Sequence, residues 1–130
     1  MKSKRQRVLL IGALALTGCS ASAEHQTGPG TLRHVVLLKF KDDAKPEQIQ
    51  AALDGVKALP AAFPGITRVW TKAIKVQNAK GVEKPRTHVL VMEFADEAAL
   101  KAYTDSPAQK EWYKVYLPVR DESTTFDITN

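Results

Sequence analysis

The chain has 130 residues, with 19 Lys and Arg against 14 Asp and Glu, and a single cysteine. Four of the basic residues and none of the acids fall in residues 1–18, so residues 19–130 carry 15 against 14, a net of about +1. The positive excess therefore belongs to the leading segment and is no sign of a nucleic-acid partner, and none is expected. One cysteine excludes an internal disulfide framework.

Lys2, Lys4, Arg5 and Arg7 precede an apolar run, Val8 to Leu16, followed by small residues. This is the layout of a secretory signal peptide over 1–18, with a run too short to span a bilayer. The stretch "LTGC", ending at Cys19, resembles the bacterial lipobox. That resemblance implies acylation of Cys19, which becomes the mature N-terminus. With Ser20 next, it implies the periplasmic face of the outer membrane in a Gram-negative host. Ordinary secretion, by cleavage after Ala23, is the alternative. Residues 19–30, small and polar with Gly and Pro, read as a flexible tether. Residues 31–130 are left as one folded domain.

Within it, "LRHVVLLKF" reads as a strand apolar on both faces. A helix starts at Pro46, with Ile49, Leu53, Val56 and Leu59 on one stripe, and ends at Pro60. "ITRVWTKAIKVQN" reads as a second strand, bulged near Trp70, and "THVLVMEF" as a third. Asp96 caps a short helix carrying Leu100 and Tyr103. Ser106 and Pro107 open another, stopped at Pro118. "STTFDI" is the last strand. The order β-α-β-β-α-β predicts an α+β, ferredoxin-like fold with the first and third strands as central, parallel neighbours. Helices cover one sheet face. The apolar character of Val35, Leu37, Val89 and Val91 on the other predicts a homodimer packed sheet to sheet.

His34 and His88 each open a central strand and share side-chain parity with the apolar residues that follow. Parallel neighbours would bring them together at one end of the sheet, able to share a proton, bind an anion or act in acid–base work. A structural role, hydrogen-bonded at a strand entrance, is the plain alternative. Two histidines without a carboxylate or cysteine beside them do not make a metal set, and no cofactor motif is present.

"RHVVLLKFKDDA" and "THVLVMEFADEAALKAY", with the proline-started helix after them, resemble the stress-responsive A/B barrel (Dabb, dimeric α/β barrel) family over nearly all of Leu32 to Ile128. The resemblance implies the same fold, dimerised through its sheets, with a pocket between helices and sheet. The family includes a plant polyketide cyclase that works without cofactor or metal. On that pattern His34, His88 and Tyr103 match pocket residues. The cyclase's "HPxH" motif reads "SPAQ" here, with Ser106 and Gln109 in place of both histidines, and glutamine takes no proton at neutral pH.

The expected ligand-binding set is His34, His88, Tyr103, Gln109 and Trp112, with His34, His88 and Tyr103 as the catalytic candidates. The first expectation is a stress-associated, membrane-anchored lipoprotein binding a small, mainly apolar molecule. A cofactor-independent enzyme (cyclase, isomerase or monooxygenase type) and a purely structural envelope module are the alternatives.

Overall fold

In a computed structural model of the chain, residues 31–129 are described; the expected signal peptide, Cys19 and the tether lie outside them. The elements are β1 (Leu32–Phe40), α1 (Pro46–Lys57), α2 (Leu59–Ala62), β2 (Ile66–Ala73), β3 (His88–Phe94), α3 (Glu97–Tyr103), α4 (Pro107–Tyr116) and β4 (Arg120–Ile128). Helix starts follow the local chemistry. Pro46 occupies the first turn of α1, and the Gln48 side chain accepts a hydrogen bond from the Lys45 backbone N–H at 3.0 Å. The Asp96 carboxylate accepts from Ala99 N–H at 2.8 Å, and the Ser106 hydroxyl from Gln109 N–H at 3.2 Å. Each satisfies a donor that the helix leaves unpaired. Pro60 does not end the helical path; it sits in the first turn of α2, where its missing N–H costs nothing.

The strands form one sheet in the order β2-β3-β1-β4, with every neighbouring pair antiparallel. This is the ferredoxin-like α+β fold. The expected parallel pairing of the first and third strands is corrected. A helix crossover lets β1 and β2 run the same way, and β3, returning from β2, inserts between them and opposes both. The bulge in β2 falls between Ile66 and Arg68, not at Trp70. β2 ends at Ala73, short of the expected strand, and β4 begins at Arg120, earlier than expected.

Register then divides the side chains between two faces. Val36, Leu38, Phe40, Leu90, Met92 and Phe94 point toward the helices and join Ala52, Val56, Tyr103, Trp112 and Tyr116 in the core. α1 and α4 cross closely at Gly55, where an added Cβ would lie 3.0 Å from the Trp112 ring. Trp112 Nε1 also donates to the Ala52 carbonyl at 3.0 Å, which fixes the indole as a wall rather than a free donor. On the opposite face Val35, Leu37, Val89 and Val91 form the centre. Trp70, paired with Val91, and Phe126, paired with Val35, flank them at 40% and 44% exposure. Ion pairs bound this apolar centre at both ends: Arg33 and Arg68 with Glu93, and Lys39 and Lys84 with Asp121.

Candidate functional site

Antiparallel pairing separates the two histidines. His34 stands opposite Met92 and His88 opposite Leu38. They share the helix-facing side, but four residues along β1 part them, about 13 Å. No shared-proton pair exists.

His34 instead meets β4. Register places Asp127 directly across from it, and His34 Nδ1 lies 2.7 Å from Asp127 Oδ1. An ionised carboxylate only accepts, so Nδ1 carries the proton and Nε2 is left for another partner. The ring stands edge-on to Phe94 at 6.2 Å. Sequence reasoning missed Asp127, because which β4 residue faces His34 depends on register; the only signal was the alternation Ser123, Thr125, Asp127 on one parity.

Beside His34 lies a cavity of about 50 Å³ between sheet and helices. His34, Tyr103, Gln109 and Trp112, four of the five expected ligand contacts, line it, with Tyr116, Arg120, Ser123 and Thr125. Tyr103 and Tyr116 are 1% and 4% exposed, and neither hydroxyl has a hydrogen-bond partner among the described residues. Arg120 and Ser123 sit beside the Tyr116 oxygen, close enough to draw its pKa part of the way back down, but outside hydrogen-bond geometry. Burial pushes both phenols up from their ordinary ionisation range, with Tyr113 adding to the effect in each. An unpaired buried hydroxyl costs about 1–3 kcal/mol, and this cavity carries two. Tyr116 stacks on Trp112 at 4.4 Å, and the Arg120 guanidinium lies over its ring at 5.6 Å. The Gln109 side-chain oxygen is occupied by the Asp105 N–H at 2.7 Å, so its NH₂ is what remains to offer. The space is small, and polar side chains share its wall with Val36, Met92 and the Trp112 ring.

His88 is elsewhere. It packs against Phe40, ring centroids 4.9 Å apart, and hydrogen-bonds the Thr87 hydroxyl at 2.9 Å. Burial lowers its pKa, favouring the neutral ring. It is not among the residues that line the His34 cavity. A larger groove, about 420 Å³, runs between α1, α2 and α4, but its lining is Ala, Gly, Leu, Val, Pro and Trp112. Its one charged residue, Glu111, already pairs with Lys114. Among the described residues no group of three His, Cys, Asp or Glu could hold a metal ion.

The sequence profile of the Stress responsive A/B Barrel Domain (Dabb) matches residues 32–130. The chain belongs to that family. The Arabidopsis thaliana stress-response A/B barrel domain-containing protein HS1 is 26% identical over 99 residues, covering 75% of this chain and 88% of HS1. Two solved structures share the Dabb chain's fold. Hydroxynitrile lyase from Passiflora edulis superposes with TM-score 0.67 at 18% identity, covering 78% of this chain and 94% of the lyase. A dimeric ferredoxin-like protein from Thermobifida fusca gives TM-score 0.62 at 20% identity, covering 78% and 92%.

Proposed function

We propose that this Dabb protein is an exported, lipid-anchored homodimer that holds a small oxygen-bearing molecule in the cavity between its helices and sheet. The single observation that carries the ligand is the pair of buried, unpartnered hydroxyls, Tyr103 and Tyr116, facing one space. Buried polar groups are ordinarily bonded, and a bound molecule relieves that cost. The homodimer is supported by the apolar sheet face on which Leu37 and Val89 are partly exposed between the exposed rings of Trp70 and Phe126, and by the dimeric state of the Thermobifida relative. Anchoring is supported by the lipobox-like stretch ending at Cys19. Native mass spectrometry of the protein purified from its own host tests the first two together. The expected spectrum is a dimer carrying one small molecule per chain; a clean monomer removes the sheet-to-sheet assembly. Cys19→Ala should shift the protein from membrane to soluble fractions, and retention in the membrane contradicts lipidation.

The second reading is enzymatic, favoured by one observation: the 2.7 Å His34–Asp127 contact, which orients an imidazole with Nε2 free for proton transfer. The shared fold with a hydroxynitrile lyase makes a small hydroxynitrile the natural first substrate to assay. If the pair is a working base, His34→Gln should abolish cyanide release and Asp127→Asn should lower it about 10²-fold or more. Release no faster than the uncatalysed rate sets this version aside and leaves the binding reading intact.

A further inference from the structure

Resting on the ligand-binding reading above, we infer that the His34 cavity selects a small monoanion, a short carboxylate of about three to five heavy atoms, over neutral or extended molecules. Size comes first. A cavity of about 50 Å³ holds about three to five water-sized centres, at roughly 10–15 Å³ each. That admits acetate or a short oxo-acid and excludes a long acyl chain.

Charge and polarity come next. The Tyr103 and Tyr116 hydroxyls have no partner and are free to donate, and Gln109, with Asp105 N–H on its oxygen, keeps its NH₂ to offer; His34 Nε2 is the acceptor on the same wall. Trp112 offers only its ring face and edge, its N–H being given to Ala52. Arg120 is half-buried and lines the cavity, yet the acids next to it on β4 are engaged elsewhere. Asp121 pairs with Lys39 and Lys84, and Glu122 with Lys84 and Arg86. Among the described residues no Asp or Glu lines the space. Asp127, next to His34, is taken by His34 Nδ1. A half-buried guanidinium with two orphan hydroxyls and an amide NH₂ is a set that a carboxylate completes: its two oxygens accept from both phenols while its charge offsets Arg120. A neutral amide of the same shape supplies one accepting oxygen and leaves the cation uncompensated.

The test is a titration of the full-length protein, carrying isotope-labelled tyrosine rings, with acetate and with isosteric acetamide, followed by the Tyr103 and Tyr116 signals. Acetate should bind about tenfold or more tightly than acetamide, the usual advantage of a charge-assisted hydrogen bond. Arg120→Gln should erase that preference, and Tyr103→Phe, which keeps the ring and the fold, should weaken acetate about tenfold. Equal binding of the two probes overturns the anion inference and keeps the pocket. Acetate binding unchanged in both variants places the anion elsewhere on the molecule and overturns it too. Signals from neither tyrosine moving with either probe would sink the pocket reading along with it.

Discussion

The two ends of the helix-facing side of the sheet start alike and finish differently. Each has a histidine on a central strand with the same parity, and each histidine leans on a phenylalanine, Phe94 for His34 and Phe40 for His88. At the His88 end the neighbours are apolar, Leu38 lies opposite at 2% exposure, and burial keeps the imidazole neutral. At the His34 end β4 brings Asp127 and then Thr125 onto the same face, with Ser123 further along opposite Leu38, and α4 brings Gln109 and Tyr116. The difference is not in the histidines but in what packs over them. A residue type on a strand marks a place where a site can form; the third and fourth elements packed there decide whether it does.

Mutations at the two ends separate packing from binding. The largest effect is expected at the closed end. Leu38→Ala should cost about 2–5 kcal/mol, read from urea unfolding, because a fully packed side chain leaves a void. A loss under about 1 kcal/mol would mean that the His88 end is looser than its burial implies.

At the open end the sign reverses. Tyr103→Phe removes a buried hydroxyl with no partner, so the ligand-free protein should gain about 1 kcal/mol in the same assay. A loss would show that the hydroxyl is bonded after all. Its raised pKa adds a second signature. In the fold Tyr103 stays neutral above the ordinary tyrosine pKa of about 10, whereas in the unfolded chain it ionises. Stability is thus complete below that pH and declines as pH rises past it, and the variant should decline less steeply.

The smallest effect belongs to His88. Its pKa is lowered in the fold, so below the ordinary histidine pKa of about 6.5 the unfolded chain binds more protons. Stability should be full above that pH and fall as pH drops through it toward 5 or so. His88→Gln should flatten that fall, and an unchanged slope would place the acid sensitivity on another group.

Much of the fold was legible because its signals are local. Asp96 and Ser106 cap helices where their spacing says they should, Pro46 and Pro107 open helices, and the two double-sided strands are the central pair. Strand direction is written in the connections, not in the strands: the helix between β1 and β2 makes them parallel and the direct return to β3 makes it oppose both. The same element order with His34 and His88 side by side required β1 and β3 to run parallel, which those connections do not allow. The site was therefore half visible. His34, Tyr103, Gln109 and Trp112 do converge on one cavity, whereas His88 does not join them. Tyr116 and Asp127 escaped notice for related reasons. Tyr116 reads as one more aromatic on an amphipathic helix, and its significance lies in an unpaired oxygen that only packing reveals. Asp127 acquires its role from register across two strands 93 residues apart in sequence. Local chemistry writes caps, turns and faces into a sequence; which residues finally meet is a property of the assembled sheet.

The most direct measurement is a high-resolution crystal structure of the protein as purified from its host, with no ligand added. The expected result is an ordered small molecule whose oxygens accept from the Tyr103 and Tyr116 hydroxyls, beside Arg120 and the His34–Asp127 pair. A cavity closed by its own side chains, with both tyrosine hydroxyls bonded to protein groups, would contradict the ligand site and leave a structural module.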